Sequence, residues 1–121
     1  MKKRTFIIAE LSANHNGDIK VALDSIRAAK RTGADAVKIQ TYTADTLTID
    51  CKNDYFKINH GTAWDGEYLY DLYKRAFTPW EWHAEIFRVA NEEGIICFSS
   101  PFDNSAVDLL EELKAPIYKI A

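Results

Sequence analysis

The chain has 121 residues, 47% of them apolar and 12% aromatic, which suits one globular domain able to bury a core. Its net charge is −3 and the only basic run is Met1-Lys2-Lys3-Arg4, which argues against non-specific nucleic-acid binding. The apolar run Phe6-Ile7-Ile8-Ala9 stops at Glu10, too short for a signal-peptide core or a membrane span.

Cys51 and Cys97 fit no metal or redox spacing and read as free thiols in a reducing cytoplasm. Thr5 to Ala9 predicts a buried first strand with Glu10 at its carboxyl end, followed by a polar turn from Leu11 to Gly17. Asp18 is placed to cap a helix whose inward face is Ile19, Ala22, Leu23, Ile26 and Ala29, and Gly33 to end it. A strand over 36–40 completes a βαβ unit, for which a parallel crossover is the natural geometry. Its alternation puts Ala36, Lys38 and Gln40 on one face and Val37 and Ile39 on the other. A buried ammonium is costly unless an anion meets it. Lys38 is therefore either part of a site at the carboxyl end of an α/β strand or a residue facing water from an edge.

From Tyr42 to Phe77 the rhythm breaks, over a stretch longer than an ordinary βα connection. It carries Tyr42, Tyr55, Phe56, Trp64, Tyr68, Tyr70 and Tyr73, with Leu69, Leu72, Tyr73 and Ala76 spaced for a short helix. This aromatic insertion is either a wall over a polar ligand or a satellite core beneath a long loop. Thr78-Pro79-Trp80-Glu81 has the pattern of a capping box with proline in the first turn, leading into a stripe of Trp82, Ile86, Val89 and Ala90 that Gly94 ends. A third strand is predicted over Ile95 to Phe98. Asp103 or Asn104 caps the next helix, with Ala106, Leu109, Leu110 and Leu113 inward. Pro116 precedes a fourth strand, Ile117 to Ile120. Four parallel strands with intervening helices make either a small open sheet or half of a (β/α)8 barrel, and no glycine-rich phosphate loop favours a nucleotide-binding version.

Polar groups gather at the strand ends: Glu10, Lys38 with Gln40, Ser99-Ser100, and Lys119. Lysines and hydroxyls suit phosphate or carboxylate oxygens, and Glu10 suits proton transfer at a hydroxyl or carbonyl. Each has a plainer alternative. Glu10 could be the ion-pair partner of Lys38 or Lys119, and the serines could shape a turn. Asn14, His15 and Asn16 could bond their own loop backbone. His15, His60 and His83 do not by themselves suggest a metal site, and His83 lies beside the apolar stripe of its helix.

Four motifs, Phe6-Ile-Ile-Ala-Glu-Leu-Ser-Ala-Asn-His-Asn-Gly17, Lys38-Ile-Gln-Thr41, Phe98-Ser-Ser-Pro-Phe102 and Tyr118-Lys-Ile120, resemble in order the amino-terminal half of the sialic-acid synthase family. The motifs Tyr42-Thr-Ala-Asp-Thr-Leu-Thr48, Trp64-Asp65, Leu69-Tyr-Asp-Leu-Tyr73 and Thr78-Pro-Trp-Glu-Trp-His83 narrow the resemblance to one branch of it. The resemblance implies that residues 1–121 are the first half of a (β/α)8 TIM barrel, about four βα units, with the second half and an antifreeze-like domain lying beyond Ala121. It implies a transferase that condenses phosphoenolpyruvate with an open-chain N-acetylated amino sugar, breaking the C–O bond and releasing phosphate. Lys38 and Lys119 would hold the carboxylate and phosphate of phosphoenolpyruvate, with Ser100 nearby. Gln40 would contact the sugar, Glu10 would act as acid or base, and Asn14 and His15 would line the barrel mouth as substrate-binding residues. A divalent metal, manganese in this family, is implied with ligands outside this chain. The partners expected are the two substrates and a second copy in a homodimer or higher assembly, with no nucleic acid and no membrane. Other amino-sugar substrates, a lysine Schiff-base aldolase, and an inactive or ligand-binding partial barrel are the competing expectations.

Overall fold

The computed structural model of the chain describes residues 4–121. Three parallel strands, β1 (Ile8–Ser12), β2 (Ala36–Thr41) and β3 (Ile96–Pro101), form one sheet in the order β1-β2-β3. Helix α1 (Ile19–Arg31) connects the first two strands. Helices α2 (Ala44–Leu47), α3 (Leu69–Ala76) and α4 (Trp82–Glu93) lie between the second and third, and α5 (Asn104–Glu112) follows β3. The fold is α/β, built from the parallel βα units of which (β/α)8 barrels are made.

Local chemistry accounts for most of these boundaries. Asp18 accepts the Lys20 N–H at 2.8 Å to open α1, and Lys30 and Arg31 sit where the helix dipole favours cations. Asp103 accepts the N–H groups of Ser105 and Ala106 to open α5. Gly94 ends α4 at φ +67°, which a side chain would strain. Ala22 and Ile26 of α1, Val37 and Ile39 of β2, Ile86, Val89 and Ala90 of α4, and Cys97 of β3 form one buried cluster between sheet and helices. Val37 and Ile39 thus face the helices, and the phase of Lys38 and Gln40 faces away from them, as the alternation predicts.

Several expectations need correction. The first strand is not Thr5 to Ala9 but begins at Ile8, where pairing with Ala36 begins, and Glu10 lies within it rather than at its end. Phe6, Ile7 and Ile8 are about half exposed, although Asp35 holds the Ile7 N–H at 2.8 Å. Leu11 belongs to the strand and is buried, not part of a polar turn. The third strand starts at Ile96 because the Ile95 N–H still bonds the Ala90 carbonyl and finishes α4. Thr78 forms no capping box. A turn carrying Pro79 and Trp80 precedes α4, Glu81 stands at the N-cap without a side-chain bond, and the Thr78 hydroxyl is used elsewhere. The fourth strand reduces to a single parallel bridge, Ser99 to Tyr118, with the Lys119 N–H on the Ser99 carbonyl at 3.0 Å. Ile120 is 83% exposed, and among the described residues no element flanks this segment to extend the ladder.

The insertion forms α2, a 3-10 turn (Asp54–Phe56), an antiparallel bridge between Lys57 and Tyr68, and α3. Tyr42 anchors it, with edge-on contacts to Tyr73 and Phe102. Among the described residues no helix is long and apolar enough to cross a membrane.

Candidate active site

The register across the sheet sets the site. Glu10 pairs with Lys38, and the Lys38 Nζ lies 2.5 Å from Glu10 Oε2. The other carboxylate oxygen, Oε1, accepts the Ser12 N–H at 3.1 Å and the Ser12 hydroxyl at 2.8 Å. Lys38 keeps 20% of its side chain exposed and Glu10 41%, so the pair borders solvent rather than lying in the core. The plainer reading of Glu10 as an ion-pair partner therefore describes a real contact. The same contact leaves a carboxylate and an ammonium side by side on an open face.

One row further along the strands, Gln40 pairs with Ser100. The bridge from Ser99 to Tyr118 aligns Lys119 with Ser100 in the same row. Gln40 is half-buried, Ser100 is buried and Lys119 is exposed. Glu10, Lys38, Gln40, Ser100 and Lys119 thus share one phase of the sheet, although Lys119 reaches it from an irregular segment. Two cations, an amide and a hydroxyl along two adjacent rows can accept an anion with several oxygens.

Asn14 lies apart from that row. With Ser12 and Asn16 it borders a cavity of about 630 Å³ between the β1–α1 loop and the insertion. Tyr42, Trp64, Tyr73 and Arg75 supply the facing wall. Burial pushes the Tyr42 phenol up, with the neighbouring Tyr73 adding to the shift. The insertion lines one side of this cavity, and its interior is thin: Tyr42, Ala44 and Ile58 are its buried apolar residues.

His15 lies beneath the loop with 1% exposure. Its Nδ1 accepts the Gly17 N–H at 3.2 Å, so Nε2 carries the proton and donates to the Thr78 hydroxyl at 3.2 Å. Both nitrogens are occupied, so the ring shapes the loop instead of presenting a group at the mouth. Burial holds its pKa below the usual value.

A second buried imidazole escaped the sequence reading. His83 Nδ1 donates toward the carbonyls of Pro79 at 3.0 Å and Trp80 at 3.2 Å, which leaves Nε2 to accept the Thr41 hydroxyl at 2.9 Å. The Thr41 oxygen lies 2.6 Å from the Ser99 hydroxyl, completing a chain behind the strand ends. Thr41 and Ser99 stand in the apolar phase of their strands, and His83 is three residues before Ile86 on the inward face of α4. Hydroxyls in a buried phase facing an inward histidine were the available signal. Burial lowers the His83 pKa, against the opposing pull of the Pro79 and Trp80 carbonyls and of Glu81.

Among the described residues no three His, Cys, Asp or Glu side chains converge to hold a metal ion. Both buried histidines are already bonded to threonines.

Residues 25–121 match the model of the NeuB family, and the chain belongs to that family. It is similar to the pseudaminic acid synthases of Campylobacter jejuni, 55% identical over 119 residues, and Helicobacter pylori, 54% identical over 115 residues. Those alignments cover 98% and 95% of this chain and 34% of each relative. The N,N'-diacetyllegionaminic acid synthase of Legionella pneumophila is 41% identical over 118 residues, covering 95% of this chain and 32% of that protein. A crystal structure of the N-acetylneuraminic acid (sialic acid) synthetase of Leptospira borgpetersenii in complex with citrate superposes with a TM-score of 0.78 at 27% identity. It matches over 98% of this chain and 36% of that one. The chain thus spans about a third of the length of these relatives.

Proposed function

We propose that this chain forms part of a phosphoenolpyruvate-dependent nonulosonic acid synthase, with pseudaminic acid as the product. The carrying observation is 54–55% identity to pseudaminic acid synthases along nearly the whole chain, against 41% to a legionaminic acid synthase. The shared face of Glu10, Lys38, Gln40, Ser100 and Lys119 supports it, because an anionic enol substrate and a polyhydroxylated aldehyde need such groups together.

Lys38 and Lys119 meet the carboxylate and phosphate of phosphoenolpyruvate, with the Ser100 hydroxyl beside them. Carbon 3 of phosphoenolpyruvate bonds to the sugar aldehyde carbon, water adds its hydroxyl at carbon 2, and the C–O bond to phosphate breaks. The aldehyde oxygen must gain a proton and the water must lose one. Glu10 exchanges it in this reading, with Lys38, its ion-pair partner, countering its charge. Gln40 bonds the sugar. Asn14 and the wall of Tyr73 and Arg75 offer amide, aromatic and cationic contacts to an N-acetylated amino sugar. The product nonulosonic acid and inorganic phosphate balance the phosphoenolpyruvate, aldehyde and water consumed.

The test measures phosphate release by the full-length protein with manganese, phosphoenolpyruvate and a panel of N-acetylated amino sugars. The pseudaminic acid precursor should give the highest kcat/KM, Glu10→Gln should lose turnover, and Lys38→Ala and Lys119→Ala should raise the KM for phosphoenolpyruvate about tenfold or more, one charge-assisted hydrogen bond each. A higher kcat/KM for another amino sugar would sink the choice of product. An imine trapped on Lys38 or Lys119 by borohydride with pyruvate would favour the aldolase instead.

A further inference from the structure

Ser12 adopts φ +48°, in the left-handed region that costs a non-glycine residue conformational energy. The strand pairing slips at the same point. Glu10 faces Lys38, but the next paired residue is Ser12, facing Ile39, so the two strands advance by different steps. Such a bulge re-aims the backbone instead of continuing the ladder. In a regular strand residues 10 and 12 would lie on one face about 6.5 Å apart, with no means for the Ser12 N–H to reach the Glu10 side chain. Here the N–H and the hydroxyl of Ser12 both reach Glu10 Oε1, at 3.1 and 2.8 Å. Lys38 takes Oε2 at 2.5 Å. The carboxylate is gripped on both oxygens, by groups from two different directions. A strained residue whose N–H and hydroxyl both turn onto a neighbouring half-exposed carboxylate is explained by the carboxylate.

We propose that Ser12 is a positioning residue for Glu10. Its left-handed backbone and its hydroxyl fix the carboxylate so that Oε1 is committed to the loop and Oε2, on the Lys38 side, is the oxygen that exchanges a proton. This rests on the reading of Glu10 as the proton-transfer group. It adds that turnover depends on how that carboxylate is aimed, and that Ser12 contributes nothing comparable to phosphoenolpyruvate binding. It also makes Ser12 a residue where stability and activity pull in opposite directions, since glycine would adopt the same backbone without strain.

The experiment compares Ser12→Gly, Ser12→Ala, Glu10→Gln and the double variant Ser12→Gly with Glu10→Gln in the full-length protein, by phosphate release and by thermal melting. Ser12→Gly should melt no lower than wild type and yet lose kcat about tenfold, with the KM for phosphoenolpyruvate within about twofold. Ser12→Ala, which keeps the N–H but not the hydroxyl, should lose kcat similarly. In the Glu10→Gln background the Ser12→Gly change should have no further effect, since the group it aims is gone. Wild-type kcat in Ser12→Gly, or an equal loss in both backgrounds, overturns the positioning role while leaving Glu10 as the proton carrier. Wild-type kcat in Glu10→Gln overturns the reading of Glu10 itself. The two failures are therefore told apart by different variants.

Discussion

Lowering the pH from about 7.5 to about 5.5 should destabilise this protein through two buried imidazoles, well before its carboxylates respond. His15 and His83 are 1% and 0% exposed, and burial depresses both below the usual value of 6.5. The folded state therefore resists a proton that the unfolded state accepts. Stability from this source is complete above pH 6.5 and falls as the pH drops below it. At about pH 5.5 each histidine that ionises only on unfolding costs up to about 1.4 kcal/mol, so the pair sets a ceiling of about 2.8 kcal/mol. The carbonyls of Pro79 and Trp80 and the nearby Glu81 partly favour the charged form of His83, which brings its share below the ceiling. Geometry agrees with the sign. A proton added at His15 Nδ1 would face the Gly17 N–H, and one added at His83 Nε2 would displace the Thr41 hydroxyl hydrogen. Asp65, Glu85 and Asp103 have lowered pKa values, so their contribution is lost only as the pH falls below the ordinary carboxylate range. Urea unfolding at the two pH values measures the loss. His15→Gln and His83→Gln should each flatten the acid side of the curve. Equal stability at both pH values, or an unchanged slope in the double variant, would refute the argument.

Two further expectations are simpler. Asp103→Ala removes the acceptor for two N–H groups at the start of α5 and should cost about 1 kcal/mol in denaturant unfolding, whereas Asp103→Asn should recover most of it. In the native chain a thiol reagent should label Cys51 and spare Cys97, whose thiol is buried and pushed up to about 12; equal labelling rates would show that β3 opens readily.

Helix ends and strand phases were legible in the sequence because they depend on neighbours within a turn or two. Asp18, Gly33, Gly94 and Asp103 behave as their residue types dictate. The even phase of β2 was legible too, since Lys38 and Gln40 interrupt an apolar run with period 2. What failed depended on distant partners. Thr78 and Glu81 have the spacing of a capping box, but the Thr78 hydroxyl is bonded to a histidine 63 positions away. His83 looked like a polar residue beside an apolar stripe, because its partner Thr41 lies across the insertion. Ile117 to Ile120 has strand composition, yet a strand is completed by what lies beside it, and among the described residues this segment pairs through the single bridge from Tyr118 to Ser99. Ser12 gave no local sign at all. Its role comes from a slip in pairing that alternation cannot reveal.

The insertion leaves the sheet after Thr41 and ends at Thr78, ahead of α4, and each threonine is fastened to its own buried histidine. A segment that enters and leaves through two fixed posts burdens folding mainly through ring closure, which grows only by about 0.6 kcal/mol for each doubling of length. Between these posts a change in the length of the segment costs the fold little, because the strands bearing Glu10, Lys38 and Gln40 are held by their own pairing and by the buried cluster against the helices.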